Sequence, residues 1–128
     1  MKRKYGKKTW CFPGGFIPVE SSGKEPEFLS KDEIAVLNTT EKDATVKISI
    51  YYADQDPVTG YAIQVNAQRV RQFRINDLID PQAVPLGVPY GAVLESDVPI
   101  VVQWTKQITA EGRMGIMGAM AYPADGDS

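Results

Sequence analysis

Histidine is absent from this 128-residue chain, and cysteine occurs once, as Cys11. The absence of histidine removes the commonest general base and the commonest metal ligand of proteins. A single cysteine excludes a disulfide within the chain and a CxxC metal site. No GxSxG nucleophile motif or phosphate-binding glycine motif is present either. The composition therefore argues against an enzyme, a metal site and a bound cofactor, and it favours a binding protein.

Long apolar runs are also missing. No stretch approaches the ~18 apolar residues of a membrane span, and the basic start is not followed by the apolar segment of a secretory signal. These features predict a cytoplasmic location. The first eight residues hold five of the 14 basic residues, which leaves nine basic against 16 acidic residues, a net charge of −7, for the rest. This net negative charge over the rest of the chain disfavours nucleic acid as a partner. The basic arm either aids solubility or contacts an anionic membrane surface.

A period-2 alternation of apolar and polar residues dominates the chain, most clearly over residues 45–53. This alternation is typical of half-buried strands. About eight short strands predict an all-β fold, an antiparallel β-sandwich of the jelly-roll type or a barrel. The proline-rich stretch 81–89 predicts a long loop. The other predicted strands cover residues 8–12, 33–38, 61–65, 69–76, 92–95, 99–109 and 116–122. One domain, 9–122, is predicted between a basic arm, 1–8, and a flexible tail, 123–128.

The segment 67–81 carries three arginines, Arg69, Arg71 and Arg74, and no acidic residue lies between Asp56 and Asp77. If Arg69 and Arg71 share one face of a strand, their Cα atoms lie about 7 Å apart. Two unit charges at about that distance repel by about 2.4 kcal/mol at an effective dielectric constant of 20. If covered, these arginines therefore need an anionic or hydroxyl-rich partner. The segment is the strongest functional indication in the sequence, and it indicates binding.

The same segment also contains a conflict of pattern. In a regular strand, Phe73 and Ile75 share the face of Arg69 and Arg71, which mixes apolar and charged side chains. This mixture predicts a bulge or a twist near residues 70–73. A single helical turn, capped by the Asn or Asp side chain, is predicted in the short stretch after Asn76.

Several polar and aromatic side chains suit a small hydroxylated or anionic ligand. Arginine forks bind carboxylates through two parallel hydrogen bonds. Asn76, Asp77 and Gln103 can form directional hydrogen bonds with hydroxyl groups. Trp10, Tyr52 and Trp104 can offer an apolar ring face. Structural roles are the alternative for these residues: Trp10 and Trp104 as core, Asp77 as a turn or cap residue, and Gln103 as a partner of buried backbone.

Six blocks of sequence, taken in order, resemble the Anabaena sensory rhodopsin transducer family. They are Trp10 with Gly15-Phe-Ile-Pro18, Pro26-Glu-Phe-Leu-Ser30, Ala35-Val-Leu-Asn38, Ile50-Tyr-Tyr-Ala-Asp54, the run from Arg69 to Pro81 with Arg74-x-Asn76-Asp77-Leu78, and Val98-Pro-Ile-Val-Val-Gln103. The resemblance extends from about residue 9 to about residue 122.

The resemblance implies a β-sandwich, a homotetramer and a soluble cytoplasmic protein. It also implies binding of small molecules such as sugars or sugar acids in a sensor or accessory domain. The alternative is a signalling adaptor that docks on a membrane photoreceptor, and DNA binding is a weaker third. The polar and aromatic positions that carry over are Trp10, Asn38, Tyr52, Asp54, Arg69, Arg74, Asn76, Asp77 and Gln103.

Overall fold

The computed structural model describes residues 5–19, 31–110 and 113–124, apart from the side chains of residues 109, 110, 113 and 114. These residues form eight strands and one turn of 3₁₀ helix, which confirms the predicted all-β class. The strands are β1 (Lys7–Gly15), β2 (Lys31–Asn38), β3 (Ala44–Tyr52), β4 (Val58–Val65), β5 (Arg69–Arg74), β6 (Tyr90–Ala110), β7 (Arg113–Met120) and β8 (Tyr122–Pro123), and the 3₁₀ turn is Ile75–Asp77.

The strands form two antiparallel layers that share β6. The order is β4-β3-β6-β1-β8 in the first sheet, while β5-β2-β6-β7 make up the second. Because period-2 alternation places every second side chain on the same face, the two inner faces supply one apolar core between them. The sheets are not closed, so β4 and β5 are edge strands on the same side of the sandwich. The predicted sandwich is confirmed, and so is the loop over residues 81–89.

Strand β6 is 21 residues long and joins the two sheets. From Tyr90 to Ser96 it pairs with β3, and from Val101 to Gln107 it pairs with β2. The change of partner flanks Pro99, which has no backbone N–H to donate to a neighbouring strand. The two strands predicted at 92–95 and 99–109 are therefore one continuous strand. The separation was wrong because a proline interrupts the sequence pattern without ending the extended backbone.

Strand β5 runs regularly beside β2, from Glu33 opposite Arg74 to Asn38 opposite Arg69. Of the bulge or twist predicted near residues 70–73, the bulge is absent from the β2–β5 register. Apolar and charged residues share one face because the core covers only one end of this edge strand. Phe73 is half-buried at the covered end, while Arg71 and Arg69 are exposed.

The predicted limits of the arm and the tail fall inside the sheet. Strand β1 begins at Lys7, opposite Ile100, and the Ala124 amide donates to the Thr9 carbonyl at 2.8 Å. Residues 1–4, half of the predicted arm, and residues 125–128, most of the predicted tail, lie outside the described residues. Within the described ranges, no helix has the length and hydropathy needed to cross a membrane.

Candidate ligand-binding site

A groove of about 430 Å³ opens between the edge strands β4 and β5. Among the described residues, neither strand pairs with a further neighbour in its own sheet. Its described lining consists of residues 61–63 on β4, 71–74 on β5 and 77–80 after the 3₁₀ turn. We call this depression the β4–β5 groove.

Apolar side chains form the base of the β4–β5 groove. Tyr61 is buried, while Ile63, Phe73 and Leu78 are half-buried against the core. The Tyr61 hydroxyl donates to the Gln82 carbonyl, which fixes the loop that follows the 3₁₀ turn. The groove therefore combines an apolar base with polar walls, as small-molecule sites commonly do.

The Arg74 side chain binds the Asp77 carboxylate through two parallel hydrogen bonds. Arg74 Nε donates to Asp77 Oδ2 at 3.0 Å, and Nη2 donates to Oδ1 at 2.7 Å. Arg71 Nη1 donates to the Gln64 carbonyl on β4 at 2.7 Å, so this side chain bridges the two edge strands. Arg74 thus has a charged partner within the chain, contrary to the expectation from sequence of an unneutralised basic strand, whereas the bond of Arg71 is to a neutral carbonyl.

Asn76 lies in the 3₁₀ turn between Arg74 and Asp77. Its Oδ1 accepts a long hydrogen bond, 3.4 Å, from the backbone N–H of Asp32. This contact ties the turn to the start of β2 and holds its two charged neighbours beside the groove. A single helical turn is present, but it spans Ile75–Asp77 rather than following Asn76. The predicted side-chain cap was wrong, since the N-cap residue is Arg74, which makes no capping bond. Asn76 and Asp77 lie inside the turn rather than before it.

A second polar cluster, which the sequence did not predict, surrounds Asp32 between the sheets. This carboxylate is fully buried and accepts hydrogen bonds from the Phe16 amide at 3.0 Å, the Tyr90 hydroxyl at 2.6 Å and Lys106 Nζ at 3.0 Å. Lys106 Nζ also donates to the Phe16 carbonyl at 2.8 Å. These bonds hold the chain after β1 against β2 and β6. The alternation of β2 places Asp32 on the same inner face as buried Ile34, so the sequence could have indicated a buried carboxylate there.

Aromatic rings enclose this buried cluster. Phe12 stacks on Trp104 with a centroid distance of 4.8 Å and meets Tyr90 edge to face at 6.2 Å. Lys106 Nζ lies 5.4 Å from the centroid of the Trp104 ring, a cation–π contact. A Cβ atom on residue 15 would lie 2.2 Å from the Tyr90 ring, so Gly15 is required for the close approach of β1.

The three tyrosine hydroxyls near the core differ in their partners. Burial raises the pKa of Tyr52, Tyr61 and Tyr90 above the ordinary value of 10.0, and the Asp32 charge raises that of Tyr90 further. Within the described part of the chain, the buried hydroxyl of Tyr52 has no hydrogen-bond partner, and neither does the buried indole N–H of Trp104. Tyr52 lies opposite Tyr90 in the β3–β6 register.

Trp10 and Asn38, both predicted to bind ligand, bond with the protein's own backbone. Trp10 is buried, and its Nε1 donates to the carbonyls of Lys7 and Ile100, both at 2.9 Å. Asn38 is fully buried, and its Nδ2 donates to the Val65 carbonyl at 3.1 Å and to two other carbonyls. These contacts are those of structural residues.

The remaining predicted residues are exposed and lie outside the described lining of the groove. Asp54 is in the loop after β3, and Gln103 is on β6 opposite Ala35. Arg69 donates to the Gln68 carbonyl at 2.9 Å, at the opposite end of β5 from Arg74. Among the nine predicted positions, the structure brings Arg74 and Asp77 together at the groove, with Asn76 between them in the chain.

The geometry defines an open antiparallel β-sandwich in which one long strand serves both sheets. Comparison with known proteins gives the family. The profile of the Anabaena sensory rhodopsin transducer family matches residues 5–123, and the chain belongs to this family. No curated protein matches the chain.

Two solved structures share the fold. The Anabaena sensory rhodopsin transducer superimposes with a TM-score of 0.71 at 38% sequence identity, over 79% of this chain and 95% of that chain. Protein 1070 of Thermotoga maritima superimposes with a TM-score of 0.81 at 25% identity, over 96% of this chain and 99% of that chain. The predicted family resemblance is thus confirmed.

Proposed function

We propose that this protein is a non-enzymatic sensor or accessory domain that binds a small carbohydrate-like molecule in the β4–β5 groove. The observation that carries the proposal is the Arg74–Asp77 pair, held by the 3₁₀ turn above an apolar base. Hydroxyl groups bond with such side chains, and the C–H face of a sugar packs on an apolar surface. A neutral sugar and a sugar acid both fit this general description.

The test is a thermal-shift screen of sugars and sugar acids, followed by calorimetry on every compound that stabilises the protein. Loss of a hydrogen bond to a charged group costs about 1.5–3 kcal/mol. Arg74→Ala removes both bonds that hold the Asp77 carboxylate beside the groove, so it is expected to weaken binding by about tenfold to about a hundredfold. Arg69→Ala is the matched control, since Arg69 lies on the same strand outside the described lining of the groove. Equal effects of the two substitutions, or no effect of Arg74→Ala, would reject the proposed site.

A second candidate function is that of an adaptor docking on a membrane photoreceptor, from the cytoplasmic side. Family membership and the 38% identity to the Anabaena transducer favour it. In this case the basic arm would contact the anionic membrane surface beside the receptor.

The adaptor role can be tested without disturbing the sheet. Because β1 begins at Lys7, the arm is best altered by replacing Lys2, Arg3 and Lys4 with glutamine. Binding to a sensory rhodopsin in anionic vesicles is expected to weaken, and more so at low salt. Binding that does not depend on these charges would reject the role of the arm. No binding by the unaltered protein would reject the adaptor function.

We also propose that the protein assembles as a homo-oligomer, a tetramer as in the family resemblance, through β7. This edge strand presents Ile116, Met117 and Met120, which are 64%, 65% and 59% exposed, and it carries no charge from Met114 to Met120. Exposed apolar edge strands are commonly covered by a partner. Ile116→Lys is expected to reduce the mass measured by light scattering, while Leu86→Lys, in the 81–89 loop, leaves it unchanged. An unchanged mass for Ile116→Lys would contradict this interface.

A further inference from the structure

The charges that line the β4–β5 groove balance one another. The described lining contains two arginines, Arg71 and Arg74, and two aspartates, Asp77 and Asp80, so their formal charges sum to zero. The residue opposite Arg74 on β2 is the acidic Glu33, so this neighbour does not make the groove more positive. A site for an anionic ligand would instead carry an excess of positive charge. The groove lacks such an excess within its described lining.

The geometry of the Arg74–Asp77 pair also bears on the charge of the ligand. A guanidinium binds a carboxylate through the same two parallel hydrogen bonds that Asp77 now accepts, at 3.0 Å and 2.7 Å. A ligand carboxylate would either displace Asp77 from these two groups or bond with other N–H groups of the guanidinium, and in both cases two negative groups would share one positive charge. Exchanging one carboxylate for another gains no new charge pairing, so a sugar acid gains little from Arg74.

A hydroxylated ligand, by contrast, can bind with the ion pair intact. The Asp77 side chain is 55% exposed, and a carboxylate has about four lone-pair sites, of which Arg74 uses two. A sugar hydroxyl can donate to the exposed carboxylate without breaking either bond. The half-buried Phe73 and Leu78 beside it provide an apolar surface for the C–H face of the ring.

We infer that the β4–β5 groove takes a neutral polyhydroxylated ligand, and that Asp77 selects it against the carboxylate-bearing analogue by occupying the Arg74 fork. The inference rests on the proposed function and specifies its ligand class. Asp77 is therefore both a binding group for hydroxyls and an internal competitor of anions.

The test is calorimetry with matched pairs that differ in one carboxylate: glucose with glucuronate, galactose with galacturonate, and mannose with mannuronate. We expect the neutral member to bind the unaltered protein at least about tenfold more tightly, equivalent to about 1.4 kcal/mol. Neutral binding should change little between low and high salt, because no charge is gained on binding. A tighter acid in the pair that binds would overturn the inference while leaving the proposed function intact. No binding by either member of any pair would overturn both.

Two substitutions separate occupation of the fork from net charge. Asp77→Asn frees Arg74 from its carboxylate, and we expect the neutral-to-acid preference to fall by at least about tenfold or to reverse. Asp80→Asn changes the net charge equally but keeps the Arg74–Asp77 bonds, and we expect a clearly smaller change in the preference. Equal changes for both variants would show that charge alone acts and would overturn the role of Asp77. Melting temperatures confirm that both variants fold.

Discussion

Removing the Tyr90 hydroxyl tests the buried Asp32 cluster most cleanly. In Tyr90→Phe, the ring that packs against Phe12 is kept and only the bond to Asp32 Oδ2, 2.6 Å long, is lost. Tyr90 is 2% exposed and Asp32 is 0% exposed, so water cannot replace the hydroxyl without rearrangement. A hydrogen bond to a charged group contributes about 1.5–3 kcal/mol. The expected loss of unfolding free energy is therefore about 2 kcal/mol.

The matched variant is Tyr52→Phe, on the neighbouring strand directly opposite Tyr90. Its hydroxyl is buried and has no partner among the described residues, so its removal relieves a desolvation cost. We expect Tyr52→Phe to leave the free energy of unfolding unchanged or to raise it by up to about 2 kcal/mol. The two variants thus change the same chemical group with opposite expected outcomes.

Urea denaturation at one fixed protein concentration measures both variants, because assembly makes apparent stability depend on concentration. For a chain of 128 residues, a loss of about 2 kcal/mol corresponds to a fall in melting temperature of about 7 °C. Equal destabilisation by the two substitutions would refute the reasoning, since it would mean that the Tyr52 hydroxyl has a partner of equal strength. A Tyr90→Phe effect below about 0.5 kcal/mol would refute the strength assigned to the Asp32 bond.

Three further predictions concern stability. Because the pKa of Tyr90 is raised in the folded protein, the unfolded state loses the Tyr90 proton first as pH rises. The free energy of unfolding therefore keeps the full contribution of Tyr90 below about pH 10 and falls above it by up to about 1.4 kcal/mol per pH unit. Alkaline titration of Tyr90→Phe should show a shallower fall. Lys106→Met leaves the buried Asp32 charge without its cation and should cost about 3–5 kcal/mol in urea denaturation, whereas a loss below about 1 kcal/mol would contradict a buried ion pair. Asn38→Ala removes a fully buried amide with three accepting carbonyls and should cost about 3 kcal/mol, and a surface-like loss below about 0.5 kcal/mol would show that water replaces it.

Much of the fold was predictable because strand periodicity is a local property. Val46, Ile48 and Ile50 are buried as their alternation indicates, and the 81–89 loop follows from its prolines. The continuity of β6 was not predictable from the same rule. The polar residues 95–97 and then Pro99 separate two apolar runs in the sequence, but an extended backbone accommodates a proline wherever no N–H is required.

The candidate site was predictable only in part, because its contacts combine local and distant residues. Arg74 and Asp77 are three residues apart, so their pairing was within reach of the sequence, although the absence of acidic residues along the strand favours unneutralised arginines. The Asp32–Lys106 bond joins residues 74 positions apart, and the Tyr90–Asp32 bond joins residues 58 apart. Pattern alone places Asp32 on an inner face but cannot name its partners. Asn38 was predicted as a ligand residue and remains one only as a proposal, since its polar atoms bond with backbone and Thr40.

The central claim is that the β4–β5 groove binds a small hydroxylated molecule at the Arg74–Asp77 pair. The most direct measurement is a crystal structure of the protein soaked with whichever neutral sugar of the matched pairs binds most tightly. We expect the sugar between Phe73 and Asp77, with a hydroxyl within hydrogen-bond distance of the Asp77 carboxylate and the Arg74–Asp77 bonds retained. A sugar bound elsewhere, or bound through a displaced Asp77, would contradict it.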